Sequence, residues 1–315
     1  MDKIYAWLAT TPYKEYALSI ASADASFREY FRLTKGDESV LLMDASLEKN
    51  SLKPFLDVTK RLLSAGVNAP KIYAQNLDEG FLILEDFGNT HYLNLLHVKN
   101  FQPLYAKAID EILKMQNAEI AGLPLYDKAF LHFEMDLMQA WYLEKKLGFV
   151  LDAGQQKILS ETLNAISKVV LSQPHNVFVH RDYHSRNIMM QNSGNIGVID
   201  YQDAMCGAIT YDLVSLLKDC YITFKREEIE TLALLFRDKK GLHVSDAEFL
   251  KWFDFMGLQR HIKVLGVFSR LHLRDGKEGY LKDIPLTLTY VLETAKRYQE
   301  TEAFAQLLEE LTSKR

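Results

Sequence analysis

The spacing of the apolar residues changes near residue 88, and this change constrains the fold more than any other feature of the sequence. Before it, short runs rich in aromatic and β-branched residues alternate with turn residues, which is typical of strands. These runs are 27–33, 39–44, 71–74 and 81–85. After it, apolar residues recur at helical spacing, as in Leu104, Ala108, Ile112 and Met115. We therefore expect an α+β chain with a small β-rich lobe at 1–88, a large, mostly helical lobe at 89–315, and a hinge at 85–89.

Composition excludes several classes of protein. The chain has 315 residues, 48% of them hydrophobic, and a formal net charge of -5, so nothing in its charge favours nucleic acid as a partner. Cys206 and Cys220 form neither a disulfide framework nor a zinc pattern, which favours a reducing compartment. The start of the chain lacks the features of a signal peptide, and no apolar run approaches the ~18 residues that span a bilayer. We expect a cytoplasmic protein with no membrane partner, and the sequence does not indicate its oligomeric state.

One octapeptide carries a recognisable chemical pattern. Residues 180–187 read His-Arg-Asp-Tyr-His-Ser-Arg-Asn, and an apolar strand-like run downstream ends at Asp200. The pattern H-R-D, four residues and Asn is that of a kinase catalytic loop. Phosphoryl transfer needs a carboxylate to orient and deprotonate the attacking hydroxyl, and oxygen ligands to hold Mg²⁺ on the nucleotide phosphates. A tight loop followed by a hairpin is expected to bring three such groups together, with Asp182 as the base and Asn187 and Asp200 as the metal ligands.

The chain resembles the aminoglycoside/choline phosphotransferase family, whose fold is similar to that of protein kinases. Four segments carry the resemblance: 26–32, 43–45, 180–187 and 200–204. Within the family, these segments, together with 207–213, are similar to those of the anomeric kinases for N-acetylmuramate and N-acetylglucosamine. The resemblance implies a bilobal, protein-kinase-like fold and an ATP- and Mg²⁺-dependent kinase. It also implies that an amino sugar is phosphorylated at its anomeric hydroxyl during peptidoglycan recycling.

The small lobe departs from the kinase pattern around the nucleotide. Residues 40–44 read Val-Leu-Leu-Met-Asp, without the strand lysine that holds the α- and β-phosphates in kinases. Arg28 and Arg32 are candidates to replace it, and a solvated strand face is the alternative for each. In the loop that is expected to cover the phosphates, Ser26 is the candidate for a phosphate contact, and an ordinary turn residue is its alternative role. Backbone groups near Glu85 and Phe87 are expected to bind adenine, although a plain turn would look the same.

The acceptor side has three candidates. Asp203 is placed to accept hydrogen bonds from sugar hydroxyls, and His184 lies inside the catalytic loop. Arg186 matches the carboxylate of the muramate lactyl group bidentately, and a surface ion pair is its alternative role. Asp212 precedes an apolar run and is expected to cap the start of a helix rather than to act in catalysis.

Other functions remain open at this point. Another small hydroxylated acceptor, such as an aminoglycoside, choline or homoserine, would use the same catalytic groups. A protein kinase is disfavoured because no A-P-E segment follows Asp200. The missing lysine suggests a nucleotide-binding regulatory module without catalysis, and the intact Asp182, Asn187 and Asp200 argue against it.

Overall fold

The chain folds into two compact units, each of which has its own set of elements. The computed structural model describes residues 1–22 and 28–313, so the predicted phosphate contact Ser26 lies outside the described residues. The sheet unit comprises residues 1–95 and 186–204, and the helical unit comprises residues 96–185 and 205–315. The division between them passes through the predicted catalytic loop, between Ser185 and Arg186. The nucleotide and acceptor roles assigned to 1–88 and 89–315 stay predictions.

The sheet unit is built on an antiparallel five-stranded sheet with the order β1-β2-β3-β5-β4. Its strands are β1 (Ala17–Ser22), β2 (Glu29–Lys35), β3 (Glu38–Asp44), β4 (Ile72–Asn76) and β5 (Phe81–Glu85). Side chains alternate between the two sheet faces. One face buries Leu33, Leu42 and Ile83 with Ile4 and Leu8, which belong to helix α1 (Asp2–Leu8).

Two further elements complete this unit. Helix α2 (Leu52–Ser64) has a buried apolar stripe that includes Phe55, Val58 and Leu62. The short hairpin of β7 (Ile188–Met190) and β8 (Ile196–Val198) is antiparallel, and its residue Ile188 lies opposite Val198. This hairpin belongs to the sheet unit although it follows the catalytic loop in the chain.

The helical unit contains eight α-helices among its described residues and one pair of short strands. The helices are α3 (Phe101–Met115), α4 (Lys128–Leu137), α5 (Ala153–Val170), α6 (Tyr211–Leu217), α7 (Arg226–Lys240), α8 (Asp246–Asp275), α9 (Ile284–Ala295) and α10 (Gln299–Ser313). Strand β6 (Val177–Val179) pairs antiparallel with β9 (Met205–Gly207). Helix α8 packs against α4, α5, α6, α7 and α9, so it is the central element of this unit.

Because α8 is surrounded by other helices, it buries polar as well as apolar side chains. Asp254 of α8 is fully buried and is paired with Lys218 at 3.1 Å and with Arg226 at 2.7 Å. Tyr298 donates a hydrogen bond to the same carboxylate over 2.8 Å. Buried charges need such partners, and these contacts connect α8 to α7 and to the C-terminal helices.

The helix that begins with α4 changes its winding at Met138. Residues Met138–Lys146 form a π-helical segment, a conformation that occurs mainly in short stretches and often near functional sites. Gly266 of α8 lies against the backbone here, and a Cβ at that position would be 2.3 Å from the carbonyl carbon of Leu137. Only glycine allows the two backbones to approach this closely.

The predicted α+β class is confirmed, and β5 has the predicted bounds 81–85. β1 and α1 were not predicted, because half of β1 faces solvent at the sheet edge and its apolar pattern is weak. Among residues 1–22 and 28–313, none of the helices combines the length and the apolar character that crossing a membrane requires.

Candidate active site

The β7–β8 hairpin brings the two predicted metal ligands together in the sheet unit. Its register places Asn187 opposite Ile199, and the backbone N–H of Ile199 donates to the carbonyl of Asn187 over 3.1 Å. Asp200 is the next residue. Its carboxylate accepts a hydrogen bond from Nδ2 of Asn187 over 3.2 Å and another from Nε2 of Gln202 over 3.0 Å. An exposed carboxylate and an amide therefore lie side by side at the end of the hairpin.

The hairpin is held by contacts from several parts of the sheet unit. Tyr201 stacks on Phe55 with ring centroids 5.2 Å apart, and its hydroxyl lies 2.8 Å from Oγ1 of Thr59. The amide of Asn68 donates to the carbonyl of Ile196 over 2.8 Å, and the carbonyl of Asn68 accepts from the N–H of Val198 over 2.9 Å. These bonds determine where Asn187 and Asp200 lie relative to the sheet.

The residues present fit a magnesium ion. Mg²⁺ prefers oxygen ligands and is usually bound by one or two protein carboxylates together with water and phosphate oxygens, rather than by a cage of protein groups. Asp200 offers one carboxylate, and Asn187 offers an amide oxygen beside it. No cluster of three or more His, Cys, Asp or Glu side chains suited to a metal occurs among the described residues.

Two residues at the predicted site adopt a backbone conformation that is uncommon outside glycine. Asp200 has φ 64° and Arg181 has φ 78°, and they are the only non-glycine residues with positive φ in the described part of the chain. Such conformations are unfavourable, persist only where the surroundings impose them, and cluster at functional sites. Asp200 is itself a predicted metal ligand, and Arg181 directly precedes the predicted base Asp182.

Asp182 lies in the helical unit, where it lines a cavity of about 280 Å³. Its side chain is 43% exposed, so the carboxylate is accessible from the cavity. His184, the second catalytic-loop candidate, lines the same cavity, and its ring packs edge-on against Tyr221. We call this space the Asp182 cavity.

Cationic side chains surround Asp182. Burial alone would raise the pKa of its carboxyl, but Lys263, Arg260, His184 and Arg181 hold the pKa well below its usual range. One of these groups is Arg260, whose Nη2 is 3.7 Å from Oδ1 of Asp182. Asp182 is therefore ionised at neutral pH and accepts hydrogen bonds.

Two buried aspartates position the catalytic loop within the helical unit. Asp212 accepts backbone N–H bonds from His180 over 2.8 Å and from Arg181 over 3.0 Å. The expectation that Asp212 caps a helix is wrong: α6 has Thr210 at its N-cap, and the Asp212 carboxylate faces the loop. Asp219 accepts the backbone N–H of Ser185 over 2.9 Å and also the Ser185 hydroxyl. Both ends of the segment 180–185 are thereby held by carboxylates.

The candidates for the nucleotide lie in the sheet unit. Arg28 is buried just before β2, and its Nε donates to Ser51 over 3.3 Å. Arg32 forms a bidentate pair with Asp86 at 2.6 and 3.1 Å, so a solvated strand face is excluded for it. Its neighbours Ser39 and Gly88 donate to Asp86 as well, and with Arg32 they hold the pKa of Asp86 below its usual range despite burial, which would raise it.

The two hinge candidates are also partly engaged. The backbone N–H of Glu85 donates to the carbonyl of Lys71 over 2.8 Å, which extends the strand pairing. Phe87 is buried and its ring lies against Gly197 of β8. Contacts of Glu85 and Phe87 with adenine, and phosphate contacts of Arg28, Arg32 and Ser26, stay predictions.

The three acceptor candidates are divided between the units. His184 lies with Asp182 in the helical unit, whereas Arg186 and Asp203 belong to the sheet unit. The carbonyl of Arg186 accepts a hydrogen bond from Nδ1 of His91 over 2.7 Å. The carboxylate of Asp203 accepts from Nε2 of Gln202 over 3.4 Å. Contact of Arg186 or Asp203 with an acceptor stays a prediction.

Sequence reasoning missed the charged side chains that line the Asp182 cavity from the helices. Glu134 of α4 is buried and is paired with Arg181 at 2.7 Å and with Lys263 at 3.1 Å. Arg260 donates to the carbonyl of Arg181 over 2.7 Å, which supports the strained residue before Asp182. The available signal was the spacing of Arg260 and Lys263, three residues apart, which places both side chains on one side of a helix.

The fold and this arrangement define a phosphotransferase. Residues 17–244 match the model of the phosphotransferase enzyme family, and the chain belongs to that family. It is 40% identical over 321 residues to an N-acetylmuramate/N-acetylglucosamine kinase of Neisseria meningitidis serogroup B, and the alignment covers 98% of this chain and 95% of that protein.

Solved structures agree on the fold. A choline/ethanolamine kinase family protein from Mesorhizobium loti has a TM-score of 0.68 at 14% identity, with 98% of this chain and 99% of the other covered. An ADP-bound aminoglycoside phosphotransferase has a TM-score of 0.60 at 15% identity, with 93% and 98% covered. The predicted family and the protein-kinase-like fold are thus confirmed, and the chain is a phosphotransferase enzyme.

Proposed function

We propose that this enzyme transfers the γ-phosphoryl group of ATP to the anomeric hydroxyl of N-acetylmuramate and N-acetylglucosamine. The relative from Neisseria meningitidis serogroup B carries the name of that activity at 40% identity. An ADP-bound protein of similar fold supports ATP as the phosphoryl donor. The reaction would serve peptidoglycan recycling in the cytoplasm, where ATP is available.

The observation that carries the proposal is the charge of the Asp182 cavity. Four cationic and three acidic side chains line it: Arg181, Arg260, Lys263 and Arg270 against Glu134, Asp182 and Asp219. A cationic acceptor such as choline or an aminoglycoside needs an acidic pocket, so the surplus of positive charge favours a neutral or anionic acceptor. A volume of about 280 Å³ also suits a single sugar ring better than a multi-ring aminoglycoside.

In this proposal, Asp182 orients the sugar hydroxyl and accepts its proton. Because the surrounding cations hold the pKa of Asp182 low, the carboxylate is a weak base. It takes the proton late, as the new bond to phosphorus forms, which suits the loose transition state of phosphoryl transfer. Asn187 and Asp200 would hold Mg²⁺, which neutralises phosphate charge when it is bound.

The first test replaces the base. Asp182→Asn keeps the size of the side chain but removes the proton acceptor, so kcat on both sugars should fall by ~10²–10⁴ while ATP binding is retained. Turnover is measured with a panel that also contains choline, homoserine and an aminoglycoside, and the control is Asp136→Asn on the exposed side of α4. Near-normal turnover of Asp182→Asn would remove Asp182 from its role, and a preference for a cationic acceptor would refute the substrate assignment.

The second test addresses the metal. Asp200→Ala should abolish Mg²⁺-dependent turnover and weaken Mg·ATP binding because a carboxylate ligand is lost. The matched control is Asp57→Ala on α2, where Asp57 forms an i,i+4 pair with Arg61. Wild-type affinity of Asp200→Ala for Mg·ATP in calorimetry would exclude Asp200 as a ligand.

The 1-O-methyl glycosides of both sugars identify the hydroxyl that reacts. They lack the anomeric hydroxyl and should not be phosphorylated. A phosphorylated methyl glycoside would point to another position on the ring.

A further inference from the structure

Helix α8 presents a row of cations to the Asp182 cavity. Arg260, Lys263 and Arg270 all line it, together with the apolar residues Val264 and Val267. Arg260 and Lys263 are three residues apart, and Lys263 and Arg270 are seven apart, with Val267 between them. These spacings place the side chains on one face of the helix. Arg270 lies about 10 Å further along the axis than Lys263, at a rise of ~1.5 Å per residue.

The first two cations already have partners inside the helical unit. Arg260 donates to the carbonyl of Arg181 over 2.7 Å and lies 3.7 Å from Asp182. Lys263 is paired with Glu134 at 3.1 Å. Both side chains therefore serve the arrangement around the catalytic loop.

Arg270 is different. Its Nε is buried and has no hydrogen-bond partner among the residues that the structure describes; the Nε of Arg260 shares this property, but the Nη atoms of Arg260 contact Arg181 and Asp182. The charge of Arg270 contributes to lowering the pKa of Asp275, but the carboxylate of Asp275 is paired with Arg274 at 2.7 Å. A buried donor without a partner is rare in folded proteins and calls for an explanation such as a ligand. A guanidinium that lines a cavity is suited to bind a carboxylate with two parallel hydrogen bonds.

We propose that Arg270 binds the carboxylate of the lactyl group of N-acetylmuramate and so makes the enzyme favour the anionic sugar. This inference rests on the proposed function, because it requires an amino sugar in the Asp182 cavity. Helical side chains tilt toward the N-terminus of their helix, so Arg270 extends back along α8 in the direction of Lys263 and Arg260, and Arg260 lies 3.7 Å from Asp182. One sugar can then place its anomeric hydroxyl at Asp182 and its carboxylate at Arg270.

The apolar part of the cavity fits the same substrate. Val264, Val267 and Phe268 of α8 contribute to the lining along with Leu137 and Phe133. Apolar walls with a few placed polar groups are the usual composition of a small-molecule site. They would pack against the C–H groups of the ring and the methyl groups of the acetyl and lactyl substituents.

The test compares the two sugars, which differ in the carboxylate-bearing lactyl group. Arg270→Gln should lower kcat/KM for N-acetylmuramate by about 10- to 100-fold and change that for N-acetylglucosamine by less than about 3-fold. Arg270→Lys keeps the charge without the bidentate geometry and should give an intermediate loss on N-acetylmuramate alone. The matched control is Arg274→Gln, which removes an exposed cation one turn further along α8 that does not line the cavity.

A second measurement does not depend on turnover. The 1-O-methyl glycosides of both sugars are used as competitive inhibitors, and Arg270→Gln should weaken inhibition only by the muramate derivative. Arg186→Gln is measured in parallel, so that the loss of selectivity is assigned to one arginine or to both.

The outcomes separate the two proposals. Equal losses on both sugars, or no loss on either, would overturn the role of Arg270 while leaving the kinase activity in place. A wild-type enzyme that phosphorylates neither sugar would contradict the proposed function, and the role of Arg270 would fall with it.

Discussion

Gly197 in β8 offers a sharp test of how the hairpin with the predicted metal ligands is positioned. A Cβ at this position would lie 2.3 Å from Cδ2, 2.6 Å from Cε2 and 2.9 Å from Cγ of Phe87. Ordinary van der Waals contacts begin near 3.4 Å, so the overlap with the ring exceeds 1 Å. Phe87 is itself 6% exposed, and its ring has little space into which it can move. Gly197→Ala must therefore displace either the ring or the hairpin.

The expected magnitude follows from two opposing effects. Overpacking of a tightly packed site costs about 1–3 kcal/mol, whereas replacing glycine by alanine within a strand contributes about 0.5–1 kcal/mol of stability. The clash is the larger effect, so the free energy of unfolding should fall by about 1–2 kcal/mol. At roughly 2–4 °C per kcal/mol, this corresponds to a decrease of about 2–8 °C in Tm.

The assay is thermal unfolding followed by circular dichroism for a double-mutant cycle. Phe87→Ala removes all three ring atoms that a Cβ would meet, so Gly197→Ala should cost at least 1 kcal/mol less in that background than in the wild type. Under the proposed function, Gly197→Ala should also raise the Mg²⁺ concentration needed for half-maximal turnover, because Asn187 and Asp200 lie at the end of the hairpin. Wild-type stability of Gly197→Ala, or simple addition of the two single effects, would refute this account of the packing.

Two further predictions concern the helical unit. Asp212→Asn leaves only one acceptor for the backbone N–H groups of His180 and Arg181, so the free energy of unfolding should fall by about 1.5–3 kcal/mol, and kcat should fall with little change in ATP affinity; unchanged Tm and kcat would contradict this. Burial, with Lys218 nearby, lowers the pKa of His261 to about 3 from 6.5, and its Nε2 lies 2.9 Å from the carbonyl of Lys218. Because the pKa of His261 is lower in the folded state than in the unfolded state, its contribution to the free energy of unfolding is fully present above pH 6.5 and is lost as the pH falls. At pH 5 the free energy of unfolding should be lower by about 2 kcal/mol. In denaturant titrations, the free energy of unfolding of His261→Gln should lack that part of the pH dependence. If the free energy of unfolding of this variant fell with pH as steeply as that of the wild type, His261 would not be its source.

Local sequence patterns were sufficient for the elements that lie close together in the chain. The short apolar run at 81–85 predicted β5, and the loop signature marked 180–187 as the segment with catalytic groups. The hairpin that places Asn187 opposite Ile199 follows from the two short apolar runs and the turn between them. These features depend on residues within about twenty positions of one another.

The role of Asp212 could not be predicted in this way. Its position before an apolar run favoured a helix cap, because side chains of this type commonly cap helices. The structure brings it under the backbone of His180, which lies 32 residues earlier in the chain. A contact of that range depends on how α6 packs, which no local pattern contains.

The sequence alone determined the class of this protein, because phosphoryl transfer demands particular side chains at particular spacings and those residues are adjacent in the chain. Tertiary structure decided the environment of each group. Glu134 and Arg260 belong to helices that are distant from Arg181 in the sequence, and both contact Arg181 only because these helices pack against the catalytic loop. The same packing brings cations next to Asp182 and places Arg270 at the same cavity. The physical reason is that charge and desolvation act through space, so the pKa of Asp182 and the selectivity of its cavity depend on contacts that the order of residues does not reveal.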